Sequence, residues 1–147
     1  MNKISLKDFI AKQDAQKRAT NFGTDAHKKL QHIVIAPDAE HGDTVAIAEI
    51  KKHPEIAALF GTDTRTEVPI AGYINGKFIS RRIDRLIIRD NEIIFVDYKT
   101  DTDRTTNRDK YEYQMREYET LLRAAFPAHT ITGYIIWLHD WELEKIV

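Results

Sequence analysis

The sequence predicts a mixed α/β fold, in which helices pack against a central sheet and the N-terminal part is helical. Helix signals fill the chain before Gly61, β-branched and aromatic runs follow it, and one long helical segment separates the last strands. This order of elements is typical of a mixed sheet with helices packed on it. With 147 residues, of which 42% are hydrophobic, the chain fits a single domain. We expect a helical part over about residues 1–61 and a sheet-containing core over about residues 62–147.

The N-terminal part is predicted to contain four helices. Ser5, with Asp8 three residues later, is a plausible capped start for the first helix. Pro54 occupies a first-turn position that favours proline, and Gly61 ends the helix that Pro54 opens. The predicted helices span about residues 5–19, 24–36, 43–52 and 54–60.

After Gly61 the pattern predicts strands. They span roughly residues 65–71, 77–89, 92–100, 131–138 and 142–147. A long helix is predicted between the third and fourth strands, over about residues 107–126, because Pro127 cannot continue it. The polar residues 101–109 before this helix are typical of a loop that closes over a substrate.

The run from Gly72 to Phe78 is similar to a phosphate-binding P-loop but does not match one. It is one residue short between its glycines, and it has Phe78 where a Ser or Thr should bind Mg²⁺. We therefore expect a turn before a strand at this point, and no ATP site.

Composition excludes several classes of protein. The chain has no cysteine, so disulfides, thiolate zinc sites and iron–sulfur clusters are excluded. No apolar run approaches the roughly 20 residues needed to span a bilayer, and residues 1–13 lack a signal-peptide core, so we expect a cytoplasmic protein without membrane contact. The formal net charge of −1 gives no global basic field, so binding of nucleic acid would be local. The candidate basic clusters are Arg81, Arg82 and Arg85, and Arg104, Arg108 and Lys110.

Asp84 and Asp97 are the most informative pair of residues in the chain. Residues 86–94 between them have the pattern of strand, tight turn and strand. With a two-residue loop at 90–91, the numbers of facing residues sum to 181, as do those of the two aspartates. The carboxylates are therefore predicted to lie opposite each other on one face, with Cβ atoms roughly 4.5–5.5 Å apart. Like charges so placed need a compensating charge, for which a divalent cation is the obvious candidate.

Lys99 follows Asp97 by two residues and is expected on the same face of its strand. Two carboxylates are hard oxygen ligands that leave other coordination positions of the metal open, which suits Mg²⁺ or Mn²⁺. A metal-activated water could then attack a phosphodiester while the lysine stabilises the developing charge. The alternative is a surface hairpin whose acids align by chance. The apolar run 93–96 before Asp97 weighs against it, because aspartates in buried strands are rare unless paired or metal-bound.

His27 and Gln114 are further candidates. His27 shares a helix face with Leu30 and Val34, so it is either a core histidine or an imidazole ligand that reaches over the sheet. Gln114 lies on a helical stripe with Tyr118, and a half-buried amide needs hydrogen-bond partners. Three roles stay open for it: bracing the lysine or the loop, contacting the DNA backbone, or bonding to nearby main chain.

The residues around Asp84 are assigned by strand alternation. Arg82 is predicted on the face of Asp84, near a phosphate, whereas Arg81 and Arg85 point to the other side and cover a sheet surface. Glu67 could add a third carboxylate, but a solvated glutamate on an edge strand is the simpler interpretation.

Five short motifs, in this order and spacing, resemble the RecB-family branch of the PD-(D/E)XK nucleases. They are Gly23-x-x-x-His27, Glu67-Val68-Pro69, Arg82-Ile83-Asp84-Arg85-Leu86, Asp97-Tyr98-Lys99-Thr100 and Gln114-x-x-x-Tyr118. Within that branch the chain looks most similar to the C-terminal nuclease domains of AddA helicase–nucleases of the alphaproteobacterial type, from about residue 20 to the C-terminus. The resemblance implies a restriction-endonuclease-like fold, with a mixed central sheet flanked by helices.

The resemblance also implies roles for individual residues. The metal, Mg²⁺ with Mn²⁺ able to substitute, would be held by His27, Asp84, Asp97 and the main-chain carbonyl of Tyr98. The catalytic set would be Asp84, Asp97, Lys99, Gln114 and Tyr118, the last two forming the helical motif that shapes the site. The arginines that we expect to contact nucleic acid are Arg82, Arg104 and Arg108.

The function implied is that of a deoxyribonuclease, the exonuclease domain of a helicase–nuclease that acts in DNA double-strand-break repair and recombination. Its partners would be single-stranded DNA, the helicase portion of the parent polypeptide and an AddB-like subunit. The lack of cysteine separates the chain from the branches of the family, AddB among them, that carry an iron–sulfur cluster. Two other functions stay open: a catalytically silent nuclease-fold module that docks a partner subunit, and a metal-dependent hydrolase of RNA or nucleotides.

Overall fold

The structure, a computed structural model, describes residues 25–147 and has a mixed α/β fold. In chain order its elements are α1, whose described part covers residues 25–31, β1 (Val34–Ala36), β2 (Ala39–His41), α2 (Thr44–Lys51), α3 (Pro54–Ala57) followed by the 3₁₀ turn Ala58–Phe60, β3 (Thr64–Ile74), β4 (Lys77–Arg89), β5 (Glu92–Lys99), α4 (Arg108–Ala125), β6 (Thr130–Trp137) and β7 (Glu142–Lys145). The main sheet has five strands in the order β3-β4-β5-β6-β7, with β5 and β6 parallel and the other neighbours antiparallel.

After Gly61, the predicted strands and the long helix match the observed elements within three residues at each end. The two helices predicted over residues 43–52 and 54–60 are also present, the second as α3 and its 3₁₀ turn. None of the helices within residues 25–147 is long and apolar enough to cross a membrane.

The beginning of the chain differs from the prediction. The helix expected over residues 5–19 lies outside the described residues. The helix expected over residues 24–36 is wrong beyond residue 31, where β1 and β2 form a small antiparallel hairpin. The β-branched residues Val34 and Ile35 favour a strand there, and proline at position 37 favours the turn that follows.

β4 and β5 form the hairpin that the sequence predicts, with its two-residue turn at residues 90–91. The numbers of the paired residues sum to 181, so the predicted register is confirmed. The ladder ends at Arg85 and Val96, one residue before Asp84 and Asp97 would pair. The two strands therefore separate at the level of the two acids.

β3 and β4 form a longer hairpin that is closed by Asn75 and Gly76. Both residues have positive φ angles, 51° and 76°, which a tight two-residue hairpin turn requires and which Asn and Gly tolerate. This turn occupies the stretch that is similar to a P-loop, so the expectation of a turn is confirmed.

The side chains of β3 and β4 change faces at Glu67 and Asp84. Glu67 has a φ of 52°, uncommon for a residue other than glycine, and stands opposite Asp84 in the register but outside the ladder. After Asp84 along β4, Arg85 contacts α1. Before Asp84, Arg81 contacts α4. Simple alternation thus fails across Asp84, and the prediction that Arg81 and Arg85 share a face is wrong.

α4 connects β5 to the parallel strand β6 and covers one face of the sheet. Its residues Met115, Tyr118 and Leu122 are buried in one core with Phe95 and Ile135 of the sheet. A second core lies on the opposite face, where α1, α2 and the 3₁₀ turn pack on the sheet. The site described below lies between these two layers, at the open end of the β4–β5 ladder.

Arg85 is completely buried between the sheet and α1. Its guanidinium donates to Tyr98 Oη at 2.8 Å, to Thr64 Oγ1 at 2.7 Å and to the carbonyl of Leu30 at 2.8 Å, and it lies 4.1 Å from the centre of the Phe60 ring. The structure therefore corrects the expectation that this residue covers a sheet surface. Because the Leu30 carbonyl belongs to α1, Arg85 holds that helix, and with it the candidate histidine ligand, against the sheet.

We predict that Arg85→Ala lowers the free energy of unfolding by about 3–5 kcal/mol, since it leaves a cavity and buried oxygens without donors. Urea denaturation at neutral pH measures this change. Arg82→Ala, on the same strand with a side chain that is 68% exposed, is the matched control and should shift stability by less than about 0.5 kcal/mol. Equal effects of the two substitutions would contradict the structural role of Arg85.

Candidate active site

Asp84 occupies the point where β4 and β5 separate. Its Oδ2 accepts the main-chain N–H of Tyr98 at 2.9 Å and lies 3.1 Å from Nε2 of His27. The carboxylate thus takes the N–H of a residue that would otherwise lie beyond the end of the ladder. His27 reaches this position from α1, with its ring against that of Tyr98 at a centroid distance of 5.5 Å. His27 therefore reaches over the sheet to an acid, and its role as a metal ligand stays a prediction.

Asp97 and Lys99 meet on the face that α4 covers. The side chain of Asp97 is only 5% exposed, and its Oδ2 lies 2.7 Å from Lys99 Nζ. Oδ2 is buried, and among residues 25–147 no main-chain N–H donates to it, so Lys99 is its charged partner. A carboxylate oxygen can accept more than one partner, so Oδ2 can also contact a further cation.

The two aspartates interact electrostatically, as the sequence predicts, although they are not a ladder pair. Burial, followed by the charge of Asp84, raises the pKa of Asp97 from 3.8 to about 7, while the charge of Lys99 acts in the opposite direction. In the protein alone, the Lys99 ammonium lowers the pKa of Asp97 by less than burial and the charge of Asp84 raise it. The pair therefore binds a proton, or another cation, near neutral pH.

Gln114 holds Lys99 in place. The ammonium donates to Gln114 Oε1 at 2.8 Å, and Gln114 Nε2 donates to Tyr118 Oη at 2.9 Å. Burial raises the pKa of Tyr118, so its hydroxyl stays protonated and donates in turn to the Arg82 carbonyl at 3.3 Å. Of the roles left open for Gln114, bracing the lysine is the one that the structure shows.

The donor set fits a hard divalent cation in its chemistry. Carboxylate oxygens of two aspartates and one imidazole nitrogen are ligands that Mg²⁺ and Mn²⁺ accept. Within residues 25–147, however, no three His, Asp or Glu side chains are already grouped around a common point. Asp84 is turned to the His27 imidazole and Asp97 to the Lys99 ammonium, so these two side chains occupy positions for which a metal would compete. The raised pKa of Asp97 favours such a replacement.

The three arginines expected to contact nucleic acid have different environments. Arg82 is exposed, and its guanidinium lies 3.9 Å from Glu67 Oε2. By alternation with Arg81, which contacts α4, it points away from the face of Lys99. Arg104 and Arg108 each pair with two carboxylates, for which a phosphate would have to compete. Their partners are Asp140 and Glu142 for Arg104, and Glu112 and Glu144 for Arg108.

Two further residues lie at the site: Tyr111, which the sequence analysis does not single out, and Glu67, which it interprets as a solvated glutamate. The ring of Tyr111 lies 4.2 Å from Lys99 Nζ, a cation–π contact, and its hydroxyl donates to Asp101 at 2.6 Å. It is on the same helical stripe as Gln114, which was the available signal. Glu67 stands opposite Asp84 on the edge strand β3, in a register that the Asn-Gly turn of the β3–β4 hairpin fixes.

No family model and no curated protein matches the chain. Among solved structures, the chain is similar to the crystal structure of SSO0001, with 23% sequence identity and a TM-score of 0.42. The match covers 70% of this chain and 52% of the other, so the chain spans about half the length of SSO0001. At this identity and TM-score, the likeness adds nothing to the account of the site.

We predict that Asp97→Asn stabilises the metal-free protein more at pH 8 than at pH 4. A carboxyl whose pKa is about 7 when folded and 3.8 when unfolded costs stability progressively as pH rises through that interval. The gain at pH 8 should be about 1–3 kcal/mol, because loss of the Lys99 ion pair offsets part of it. Urea denaturation in EDTA at both pH values measures it, with Asp63→Asn at an exposed ion pair as the control. A gain that does not change with pH would contradict the assignment.

Proposed function

We propose that the chain is a divalent-cation-dependent deoxyribonuclease domain of the RecB-like PD-(D/E)XK type. The observation that carries the proposal is the meeting of Asp84, Asp97 and Lys99 where the β4–β5 ladder ends. Two interacting acids beside an ammonium are the groups that metal-assisted hydrolysis of a phosphodiester uses. The restriction-endonuclease-like fold is part of the proposal, and the β4–β5 hairpin followed by α4 and a parallel strand supports it.

The acids and the imidazole supply the binding groups. Asp84, Asp97 and His27 would hold Mg²⁺ or Mn²⁺, and Tyr98, whose N–H is fixed on Asp84, would add its main-chain carbonyl. When bound, the cation supplies Lewis acidity and lowers the pKa of water for attack on the phosphodiester. His27 can coordinate a metal only through an unprotonated ring nitrogen, so Nε2, which faces Asp84, must carry no proton when the metal binds.

Lys99 supplies the positive charge that does not depend on a metal. The ammonium would contact a phosphate oxygen and stabilise the charge that develops in the transition state. Gln114 keeps the amine within reach throughout, because its amide is itself fixed by Tyr118. The ring of Tyr111 supports the ammonium at 4.2 Å without neutralising it. In this arrangement Gln114 and Tyr118 position the lysine and do not touch the reacting atoms.

We further propose that the domain acts as an exonuclease on single-stranded DNA in double-strand-break repair and recombination. The order and spacing of the motifs that resemble the AddA-type nuclease domains support this role. In that setting, strand separation falls to the helicase portion of a parent polypeptide, and an AddB-like subunit is the expected partner. A cytoplasmic location belongs to the same proposal.

One observation favours the catalytically silent alternative, a docking platform for a partner subunit. Asp84 is hydrogen-bonded to His27 and Asp97 is ion-paired with Lys99, so each acid is compensated in part without any metal. Against it stands the raised pKa of Asp97, which shows that this compensation is incomplete. Perturbed pKa values are enriched at functional sites, so this state of Asp97 favours the nuclease. The platform predicts no divalent-cation binding, which separates it from the nuclease.

We predict that Asp97→Ala and Lys99→Ala each lower Mn²⁺-dependent cleavage of a single-stranded DNA oligomer by a factor of about a hundred or more. Single-turnover rates resolved on denaturing gels measure this loss. Asp63→Ala and Lys52→Ala, at exposed ion pairs, are matched controls and should leave the rate within about twofold. If the Asp97 and Lys99 variants cut as fast as the parent, the activity belongs to a contaminant and the proposal fails. RNA and mononucleotide substrates assayed in parallel test the hydrolase alternative.

For Gln114→Ala we expect kcat to fall by about tenfold to a hundredfold with little change in KM. The substitution frees the amine of Lys99 without removing its charge, which impairs positioning and not substrate binding. Steady-state kinetics at saturating Mn²⁺ separates the two parameters. Gln31→Ala removes an exposed glutamine that bonds only to His32 among the described residues, and it should behave as the parent. A rise in KM at constant kcat would mean that Gln114 contacts the substrate instead.

A further inference from the structure

The distal half of the β3–β4 hairpin extends beyond the strands that flank it. β4 pairs with β5 only from Arg85 onward, so the segment from Val68 to Ile83 is a two-stranded ribbon. One face of this ribbon packs on α4, where Gly72 approaches Leu121 and Arg81 pairs with Glu117. The other face, which no described element covers, carries Pro69, Ala71, Tyr73, Phe78, Ser80 and Arg82.

Two large aromatic side chains lie on that free face near the turn. Tyr73 is 75% exposed and Phe78 is 57% exposed, and the two are directly paired across the strands. Their ring centroids are 5.5 Å apart in an edge-to-face arrangement. Two exposed aromatic rings in contact form an apolar patch next to the turn. Such patches mark surfaces that bind a partner, whereas apolar residues scattered singly over a surface do not.

The charge of the ribbon selects the kind of partner. From Val68 to Ile83 it carries Lys77, Arg81 and Arg82 and no carboxylate. Arg81 pairs with Glu117, and Lys77 lines the cleft beside α4, so the cation that the described free face carries is Arg82. Arg82 is largely exposed, and its carboxylate neighbour Glu67 is 3.9 Å away, so a phosphate can compete for it. Rings for base stacking next to an exposed guanidinium match single-stranded nucleic acid better than an apolar protein surface.

The same face leads to the candidate active site. Phe78, Ser80 and Arg82 alternate along β4 on this face, and Asp84, which contacts His27 of α1, follows Arg82 by two residues. The aromatic pair thus lies six residues, or about 20 Å, from the acid. The small residues Ala71 and Ser80 form the next cross-strand pair, which leaves this track open between the rings and Arg82. A strand laid along it would run directly toward Asp84 and His27.

We propose that this face of the β3–β4 ribbon is a binding track for single-stranded nucleic acid. Bases stack on Tyr73 and Phe78, and Arg82 contacts the backbone as the strand approaches the acids. The inference rests on the proposed function for its choice of occupant, and its position is independent of the catalytic chemistry.

Fluorescence anisotropy with a labelled deoxythymidine oligomer of about 15 nucleotides tests the track. All proteins carry Asp97→Asn and are kept in EDTA, so that binding is measured without cleavage. We expect Tyr73→Ala combined with Phe78→Ala to raise Kd by about tenfold to a hundredfold, and Tyr73→Trp combined with Phe78→Trp to restore binding. Tyr113→Ala, an equally exposed tyrosine on α4 in the cleft behind the ribbon, should change Kd by less than about twofold.

Two results would overturn the inference. If the double alanine variant binds the oligomer as well as its parent, the aromatic pair serves another partner, such as a protein. If Tyr113→Ala weakens binding more than the double variant does, nucleic acid lies in the cleft beside α4. Thermal midpoints of all variants within about 3 °C of the parent exclude misfolding as the cause. Failure of the nuclease proposal would appear separately, as a chain with Asp97 intact that binds the oligomer through the ribbon but does not cut it with Mn²⁺.

Discussion

The hydrogen bond from the Tyr98 N–H to Asp84 Oδ2 fixes the arrangement on which the rest of the site depends. At the end of the β4–β5 ladder, the Tyr98 N–H donates to a carboxylate instead of a main-chain carbonyl of β4. This hydrogen bond keeps the Asp84 carboxylate at the point where the two strands separate. Asp97, one residue before Tyr98 on the same strand, is then buried near that acid. The energetic cost of this proximity is expressed in the pKa of Asp97, which burial and Asp84 raise to about 7. A site that holds two acids under such conditions is prepared to exchange a proton for a stronger cation.

The two layers of helices support this arrangement from opposite sides. Arg85, fully buried, ties α1 to the sheet through the Leu30 carbonyl, and α1 brings the imidazole to Asp84. On the other face α4 brings Gln114 to Lys99. Each functional side chain is thus positioned by a neighbour whose own hydrogen bonds are satisfied within the protein. Preorganisation of this kind is what allows a small site to stabilise charge without rearrangement.

Much of this geometry is encoded locally, and that part could be predicted. The two-residue turns of the hairpins set their registers, so arithmetic on residue numbers brought Asp84 and Asp97 together, and the same arithmetic applied to Asn75-Gly76 would have placed Glu67 opposite Asp84. The change of faces at Glu67 could not be predicted, because a left-handed glutamate has no sequence signature. The burial of Arg85 was missed for a related reason. Its neutral partners come from distant segments, and a charged residue beside a predicted surface gives no local sign of them.

The central claim is that Asp84 and Asp97 can share one divalent cation. Diffraction from a crystal soaked in millimolar Mn²⁺, recorded where manganese scatters anomalously, tests it most directly. The account predicts one strong anomalous peak in contact with carboxylate oxygens of both aspartates, with Lys99 Nζ moved away from Asp97 Oδ2. No peak between the two acids, with His27 still on Asp84 and Lys99 still on Asp97, would contradict it.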